Sequence, residues 1–333
     1  MDPTISVIMA VRDGAETIEM CLASLAAQSF KEWEAVIVND GSQDATGRIL
    51  RDWSHRDPRI RPFNTPPQGL IISLNFAASK ARGRTFFRQD ADDTSHPDRF
   101  QEQIQALLNH PEWDVIATGV TIFPEPAPGL SRYQNWINSV ITPEEIARDI
   151  WIESPIPHPT VAMRRETFEE AGGYRDMGWP EDYDLWLRLH LQGKGFAKIP
   201  KVLYAWRDSP GRLSRTHDNY SAEAFRRCKA HHLSRILGDQ KIWICGAGPF
   251  GRKLARALDD AGITIHGFLD IDRLRVGRMV QGARVEDLSI LKGGPVAHQK
   301  LLVCVGVHGA RDLIRRQLTE WNYRETTDYL IVS

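Results

Sequence analysis

No apolar run in the 333-residue chain approaches the ~18 residues that a bilayer-spanning helix needs, so nothing in it reads as a membrane span. Cysteine is scarce. The four present (Cys21, Cys228, Cys245, Cys304) have no paired spacing, so neither a disulfide nor a zinc framework is expected, and a reducing cytoplasm is the expected compartment. Neither charge sign is in excess: 42 Lys and Arg against 43 Asp and Glu leave a formal charge of -1, which excludes a nucleic-acid-binding polycation. A phosphorylated ligand would therefore have to find local positive charge or a metal. The opening "MDPTISVIMAV" has an acidic start and a short apolar run stopped by Arg12, which predicts a strand rather than a signal peptide. Association with the inner face of a membrane from the side stays open.

What is present is alternation. Residues 5–10 (ISVIMA) form a continuous apolar run, as in a buried parallel strand, and Ile18, Leu22, Leu25 and Ala26 follow at helical spacing. "EAVIVND" repeats the strand and ends at Asp40; Gly41-Ser42 turns, and Ala45, Ile49, Leu50 and Trp53 mark a helix face. A weaker strand (Arg59 to Phe63) runs through Pro66-Pro67-Gln68-Gly69 into a helix faced by Leu74, Ala77, Ala78 and Ala81. "RTFFRQ" then leads into acids. Thr94 and Ser95 precede Pro97 as candidate caps for a helix marked by Phe100, Ile104, Leu107 and Leu108. The scheme predicts an α/β, doubly wound, mostly parallel sheet with its ligand outside the carboxyl ends of the strands, where Arg12-Asp13, Asn39-Asp40 and Asp90 to Asp93 lie.

Residues 1–219 make this first domain, in which the pattern blurs after 113 until the helix "EDYDLWLRLHLQG". A charged helical connector is expected over 220–240. From 241 to 333 the scheme restarts: "KIWICGAGPFGRKLARALDDAGITIHGFLDID" sets Gly246, Gly248 and Gly251 between a strand and a helix and ends a second strand at Asp270. Such a turn lets a phosphate approach backbone amides, with Asp270 where a ribose ligand would sit.

The stretch "RQDADDTSHPDRF" carries three carboxylates in four residues. Asp90 and Asp92 form D-x-D, a spacing that can present oxygens to a hard divalent cation shared with substrate phosphates. Asp93 is a third candidate, and spacing does not choose among them. The competing explanation is capping of the next helix, since an acid near a helix N-terminus contributes ~0.3 to 1 kcal/mol; it accounts for one acid more easily than three.

Taken in order, "ISVIMAVRDGAETIEMCLASLAAQSFKEWEAVIVNDGSQDAT", "GLIISLNFAASKARGRTFFRQDADDTSHPDRFQEQ", "HPTVAMRRETFEEAGGYRD" and "PEDYDLWLRL" resemble the family 2 inverting glycosyltransferases of the GT-A fold over about residues 1–215. The resemblance implies a base contact for Asp40, a Mn2+ or Mg2+ ion on Asp90 and Asp92 with Asp90 also on the nucleotide side, and Asp182 as catalytic base beside Glu181. The first loop departs from the family's usual Y-N, reading Arg12-Asp13, so the base contact of Asp13 and Glu16 is weakened. Candidates for the diphosphate or acceptor are Arg82, Arg88, His158 and a lid segment bearing Arg212, Ser214 and His217. Trp136, Trp151, Trp179, Trp186 and Trp206 are candidates for sugar stacking or for the core. The implied donor is a nucleoside-diphosphate sugar, with UDP the family's commonest, and the implied acceptor a hydroxyl of a glycan or lipid-linked glycan in polysaccharide biosynthesis. The C-terminal stretch resembles the small Rossmann-like domain in front of sugar-nucleotide acyltransferases, through "GAGPFGRKLARAL" and "GFLDID", and implies a nucleotide-binding or docking module. Two other readings are an NAD(P)-dependent oxidoreductase using the C-terminal glycines and a non-catalytic sugar-nucleotide-binding protein; neither accounts for all the acids.

Overall fold

Apolar character buries Ile5–Val11 on both faces as β1, an interior strand paired on both sides. The computed structural model describes residues 3–306 and 309–333, so the acidic start at Asp2 lies outside the described residues. In chain order β1 is followed by α1 (Ile18–Ala26), β2 (Trp33–Asp40), α2 (Thr46–Arg56), β3 (Ile60–Thr65), α3 (Leu70–Lys80), β4 (Thr85–Arg88), β5 (Thr94–Ser95) and α4 (Arg99–Asn109). Then come β6 (Val115–Phe123), α5 (Pro128–Ser139), α6 (Pro143–Asp149), β7 (Ala162–Arg164), α7 (Arg165–Glu170), α8 (Glu181–Leu191), β8 (Phe196–Arg207) and α9 (Leu213–Thr216). The sheet order is β3-β2-β1-β4-β7-β6-β8-β5. Strands β3, β2, β1 and β4 are parallel neighbours, while β7 runs antiparallel to both β4 and β6. The result is a parallel-rich α/β sheet whose first four carboxyl ends lie side by side.

Helix faces explain the core. Ile18, Cys21, Leu22 and Leu25 of α1 are buried at i, i+3, i+4 and i+7 and pack with Val7, Met9 and Ile37 of the central strands. One expected element differs: Thr94 and Ser95 do not cap a helix but pair with Ala205 and Tyr204 of β8. The Ser95 hydroxyl donates to Gln89 and accepts from buried Arg99, and these side-chain bonds hold the short strand where a cap would have been.

The chain divides into two compact units: the first runs to Ala147 and includes Pro155–Met177 and Glu181–Arg215, and the second comprises Arg148–Ser154, Gly178–Pro180 and Thr216–Ser333. The charged stretch read as a connector is α10 (Ala222–Leu237), a helix of the second unit. After it come β9 (Lys241–Cys245), α11 (Pro249–Asp260), β10 (Ile265–Asp270), β11 (Met279–Val280), β12 (Ala283–Asp287), β13 (Gln299–Val303), α12 (Ala310–Glu320) and β14 (Tyr329–Ile331), in the order β11-β12-β10-β9-β13-β14.

Candidate active site

Three neighbouring strands bring their terminal residues together. Asp40 ends β2, Arg12-Asp13 follows β1 and Asp90 lies two residues beyond β4. Asp13 sits in the left-handed region (φ 50°), a conformation that costs a non-glycine residue ~1 kcal/mol or more. Its neighbours hold it there: its amide donates to Ser42 Oγ (2.9 Å), its Oδ1 accepts the Gln43 amide (2.7 Å), and the next two amides donate to Thr46 Oγ1 and Asp44 Oδ2. Glu16 is exposed just ahead of α1. Asp40 is buried and accepts from the amides of Gln68 (2.8 Å) and Gly69 (3.0 Å) and from Ser73 Oγ (3.0 Å), so it fastens the turn that starts α3.

The three acids after β4 have three different environments. The carboxylate of Asp90 is about one-third exposed and pairs with the buried guanidinium of Arg88 at 2.6 Å, which is thereby held charged. Asp93 is fully buried, and its Oδ1 accepts the Arg207 amide at 2.6 Å. Burial and the charges of Asp90 and Asp92 push its carboxyl well above the usual carboxylate range. Asp92 is raised by burial and by Asp90, and the charges of Arg212 and Arg207 act in the opposite sense. Two hard oxygen donors that repel one another are a donor set that fits a divalent cation. Of the three acids, Asp93 is the one buried and bonded to backbone, and Asp90 and Asp92 keep the more open carboxylates. The N-cap position of α4 is occupied by Asp98, which makes no side-chain cap bond, rather than by any of the three acids.

The second cluster forms around His158. Its Nε2 lies 2.7 Å from the Tyr174 hydroxyl, and its Nδ1 faces Glu181 Oε1 at 3.7 Å and Asp182 Oδ2 at 4.0 Å. Burial, and secondarily the Arg88 charge, hold the imidazole well below its usual pKa, so it is neutral. The acids on one side assign the proton to Nδ1, and the Tyr174 hydroxyl, raised by burial, donates to Nε2. Asp182 opens α8 with a side chain one-fifth exposed. A helix N-terminus favours the ionised form, and the Tyr183 amide donates to Asp182 Oδ1 at 2.7 Å. Burial and the adjacent Glu181 nonetheless win, pushing Asp182 up to about 7. Desolvation therefore outweighs the helix dipole at this position.

Several candidates lie elsewhere or are already engaged. Arg82 sits at the opposite, amino-terminal edge of the sheet, bonded to buried Glu34 at the start of β2 (Nε to Oε2, 2.9 Å), and does not join the acids at the carboxyl ends. Arg88 is buried beneath Asp90 as its counter-ion rather than open to a diphosphate. Arg212 stacks over Trp206 at 4.2 Å and lies in the field of Asp92. His217 belongs to the second unit and uses Nδ1 to cap the one-turn helix Asp218–Tyr220, while Ser214 is exposed. Trp151, Trp179 and Trp186 are buried, and Trp136 and Trp206 are partly buried around Tyr133.

In the second unit Gly246 (φ 113°) and Gly251 make the turn possible, because a Cβ would stand 2.3 Å from Cys304 O at the first and 1.9 Å from Gly246 O at the second. Gly248 is open, with only Arg275 at 3.8 Å. Asp270 is not free for a ribose: it accepts from the amides of Ala247 and Asp272 and from Arg275.

Three residues escaped the sequence reading. Tyr204 accepts the Asp90 amide, Arg207 donates its amide to Asp93, and Tyr174 orients His158. Tyr204 and Arg207 lie on β8, more than a hundred positions from the acids, and no local spacing links them.

Fold and acids together define a glycosyltransferase of the GT-A type. The pattern of "Glycosyl transferase family 2" matches residues 6–172. EpsE of Bacillus subtilis (strain 168), which carries a glycosyltransferase name, is 32% identical over 226 residues, 66% of this chain and 79% of that one. The chain belongs to glycosyl transferase family 2. The amylovoran biosynthesis glycosyltransferase AmsE of Erwinia amylovora is 29% identical over 58% of this chain and 71% of its own. Among solved structures, S. aureus TarS 1-349 in complex with UDP-GlcNAc superposes with a TM-score of 0.57 at 18% identity, over 78% of this chain and 71% of that one, a likeness of fold.

Proposed function

We propose that the chain is a metal-dependent, inverting glycosyltransferase that moves a sugar from a UDP-sugar to a hydroxyl of a glycan or lipid-linked acceptor. The observation that carries this reading is the place of Arg88: its guanidinium pairs with Asp90 at 2.6 Å and its charge acts on both His158 and Asp182, so one buried cation stands between the D-x-D acids and the acid of α8. Asp90 and Asp92 would hold Mn2+ or Mg2+, which supplies neutralisation of the charge that grows on the departing diphosphate. Arg88 holds the Asp90 carboxylate in place through their 2.6 Å ion pair, and Asp40, Asp13 and Glu16 border the base and ribose side. Asp182 takes the proton of the attacking hydroxyl; with a pKa near 7 it is a matched acceptor at neutral pH. Neutral His158 donates toward the Glu181–Asp182 pair, and Tyr174 fixes its ring. A single displacement with base and diphosphate on opposite faces of the sugar inverts the anomeric centre.

UDP is favoured by the TarS complex, whose nucleotide sugar is UDP-GlcNAc. AmsE, by its name, acts in amylovoran biosynthesis, and that supports a polysaccharide acceptor. No helix of the described residues is long and apolar enough to cross a membrane; cytoplasmic work at the inner membrane face is the proposed setting. The C-terminal unit is proposed to be a nucleotide-binding or docking module. The test is Asp182→Asn: transfer should fall about 10²- to 10⁴-fold with unchanged donor affinity, measured by single-turnover UDP release. Near wild-type turnover in that variant would sink the assignment of the base.

A further inference from the structure

The C-terminal unit contains a cavity of about 340 Å3, within the ~300 to 1,000 Å3 typical of small-ligand pockets. It lies where the sheet reverses: β9 leads through α11 to β10 on one side, and β13 lies on the other. Open α/β sheets take ligands in the crevice at such a reversal, outside the carboxyl ends of the strands. Phe250 and Leu254 from the start of α11 line it together with Cys304 and Gly306, which follow β13.

Three cations and one acid line this space: Arg226 and Lys229 of α10, Arg311 of α12, and Glu153. Lys229 is only 8% exposed; its ammonium donates to Ile152 O at 2.5 Å and Val332 O at 3.0 Å, which uses two of three donors. The Nε of Arg226 is shut away from solvent without a hydrogen bond, while its Nη2 pairs with Glu223. Arg311 Nε donates to Ser333 O at 2.8 Å. Glu153 acts on Lys229 and Arg311, which leaves three cations to one acid in the lining, and a guanidinium nitrogen without an acceptor adds to a surplus that an anion would complete. At the mouth Phe250 is 54% exposed, and its ring lies against Gly306, where a Cβ would come within 2.7 Å of it. The glycine turn is a poorer site, because Asp270 is consumed by its own chain.

We propose that this cavity binds a phosphorylated ligand of nucleotide size, its phosphate held by Arg226, Lys229 and Arg311 and its planar base resting on Phe250. The proposal rests on the reading of the C-terminal unit as a nucleotide module and moves the site from Gly248 and Asp270 to the reversal crevice. The test is calorimetric titration of UDP, ADP and inorganic phosphate into the full chain carrying Asp92→Ala, in EDTA, so that the metal of the N-terminal site plays no part. One of the nucleotides should bind with a Kd between about 10 μM and 1 mM, more tightly than phosphate. Arg226→Gln and Arg311→Gln, chosen because Lys229→Met risks the fold, should each weaken it about tenfold or more. Nucleotide binding indifferent to both substitutions but lost in Gly248→Val overturns this site and leaves the module intact. Phosphate binding as tightly as either nucleotide overturns the role of Phe250 and with it the proposal. No binding of any of the three at about 1 mM overturns the site and the module together.

Discussion

At the scale of the residue, the chemistry turns on a contest at Asp182. The helix terminus and the Tyr183 amide favour its anion, and burial with Glu181 disfavours it; the outcome, about 7, shows that desolvation is the larger effect. A base must be deprotonated to act. The account therefore predicts that kcat/KM rises with pH, with an inflection near 7 and a plateau above it. Glu181→Gln removes one of the two raising causes, so the inflection should move to lower pH. An unchanged inflection in that variant would assign the titration to another group. Asp93 makes the same point without chemistry: burial pushes the pKa of an acid written beside two others well up, and its carboxylate accepts the Arg207 amide.

At the scale of the element, Arg82 and the two C-terminal glycines separate position from sequence neighbourhood. Arg82 pairs with Glu34 at the amino-terminal edge of the sheet, and its side chain is half exposed. Arg82→Ala should leave nucleotide affinity unchanged and cost about 1 to 3 kcal/mol of stability, because it takes one of two arginine partners from buried Glu34 while Arg61 stays; a tenfold loss of affinity in titration would contradict its placement. Gly251→Ala forces a Cβ to within 1.9 Å of a backbone oxygen and 2.9 Å of Ile244, and should lower the chemical-unfolding midpoint strongly, by an equivalent of about 1 to 3 kcal/mol or more. Gly248→Ala meets only Arg275 at 3.8 Å and should be nearly silent. The same scale shows what could be read in the sequence. Continuous apolar runs and i, i+3, i+4 faces located β1 through α4, because both patterns are local, and they correctly ended strands at Asp40 and just before Asp90. The pairing of Thr94 and Ser95 with β8 was invisible, because a two-residue strand has no period and its partner lies 110 positions away. His158 was singled out by its phrase, whereas Tyr174, which fixes its ring, lay in "EEAGGYRD" with nothing local to connect it to an active site.

At the scale of the whole molecule, the near-neutral net charge is distributed so that acids collect at the carboxyl ends of β1, β2 and β4, where Arg88 pairs with Asp90, Arg12 faces Asp13, and the charges of Arg207 and Arg212 act on Asp92. The neighbouring carboxylates of Asp90 and Asp92 are the physical reason for proposing a divalent cation and a nucleotide-sugar diphosphate at this edge of a family 2 glycosyltransferase. The most direct test is calorimetric titration of UDP-GlcNAc into the full chain with and without Mn2+, in the wild type and in Asp92→Ala. The account predicts binding that strengthens more than about tenfold with Mn2+ in the wild type, a gain of ~1.4 kcal/mol or more, and that loses this gain in Asp92→Ala. Equal affinity with and without the metal, or a full metal effect retained in Asp92→Ala, would contradict it.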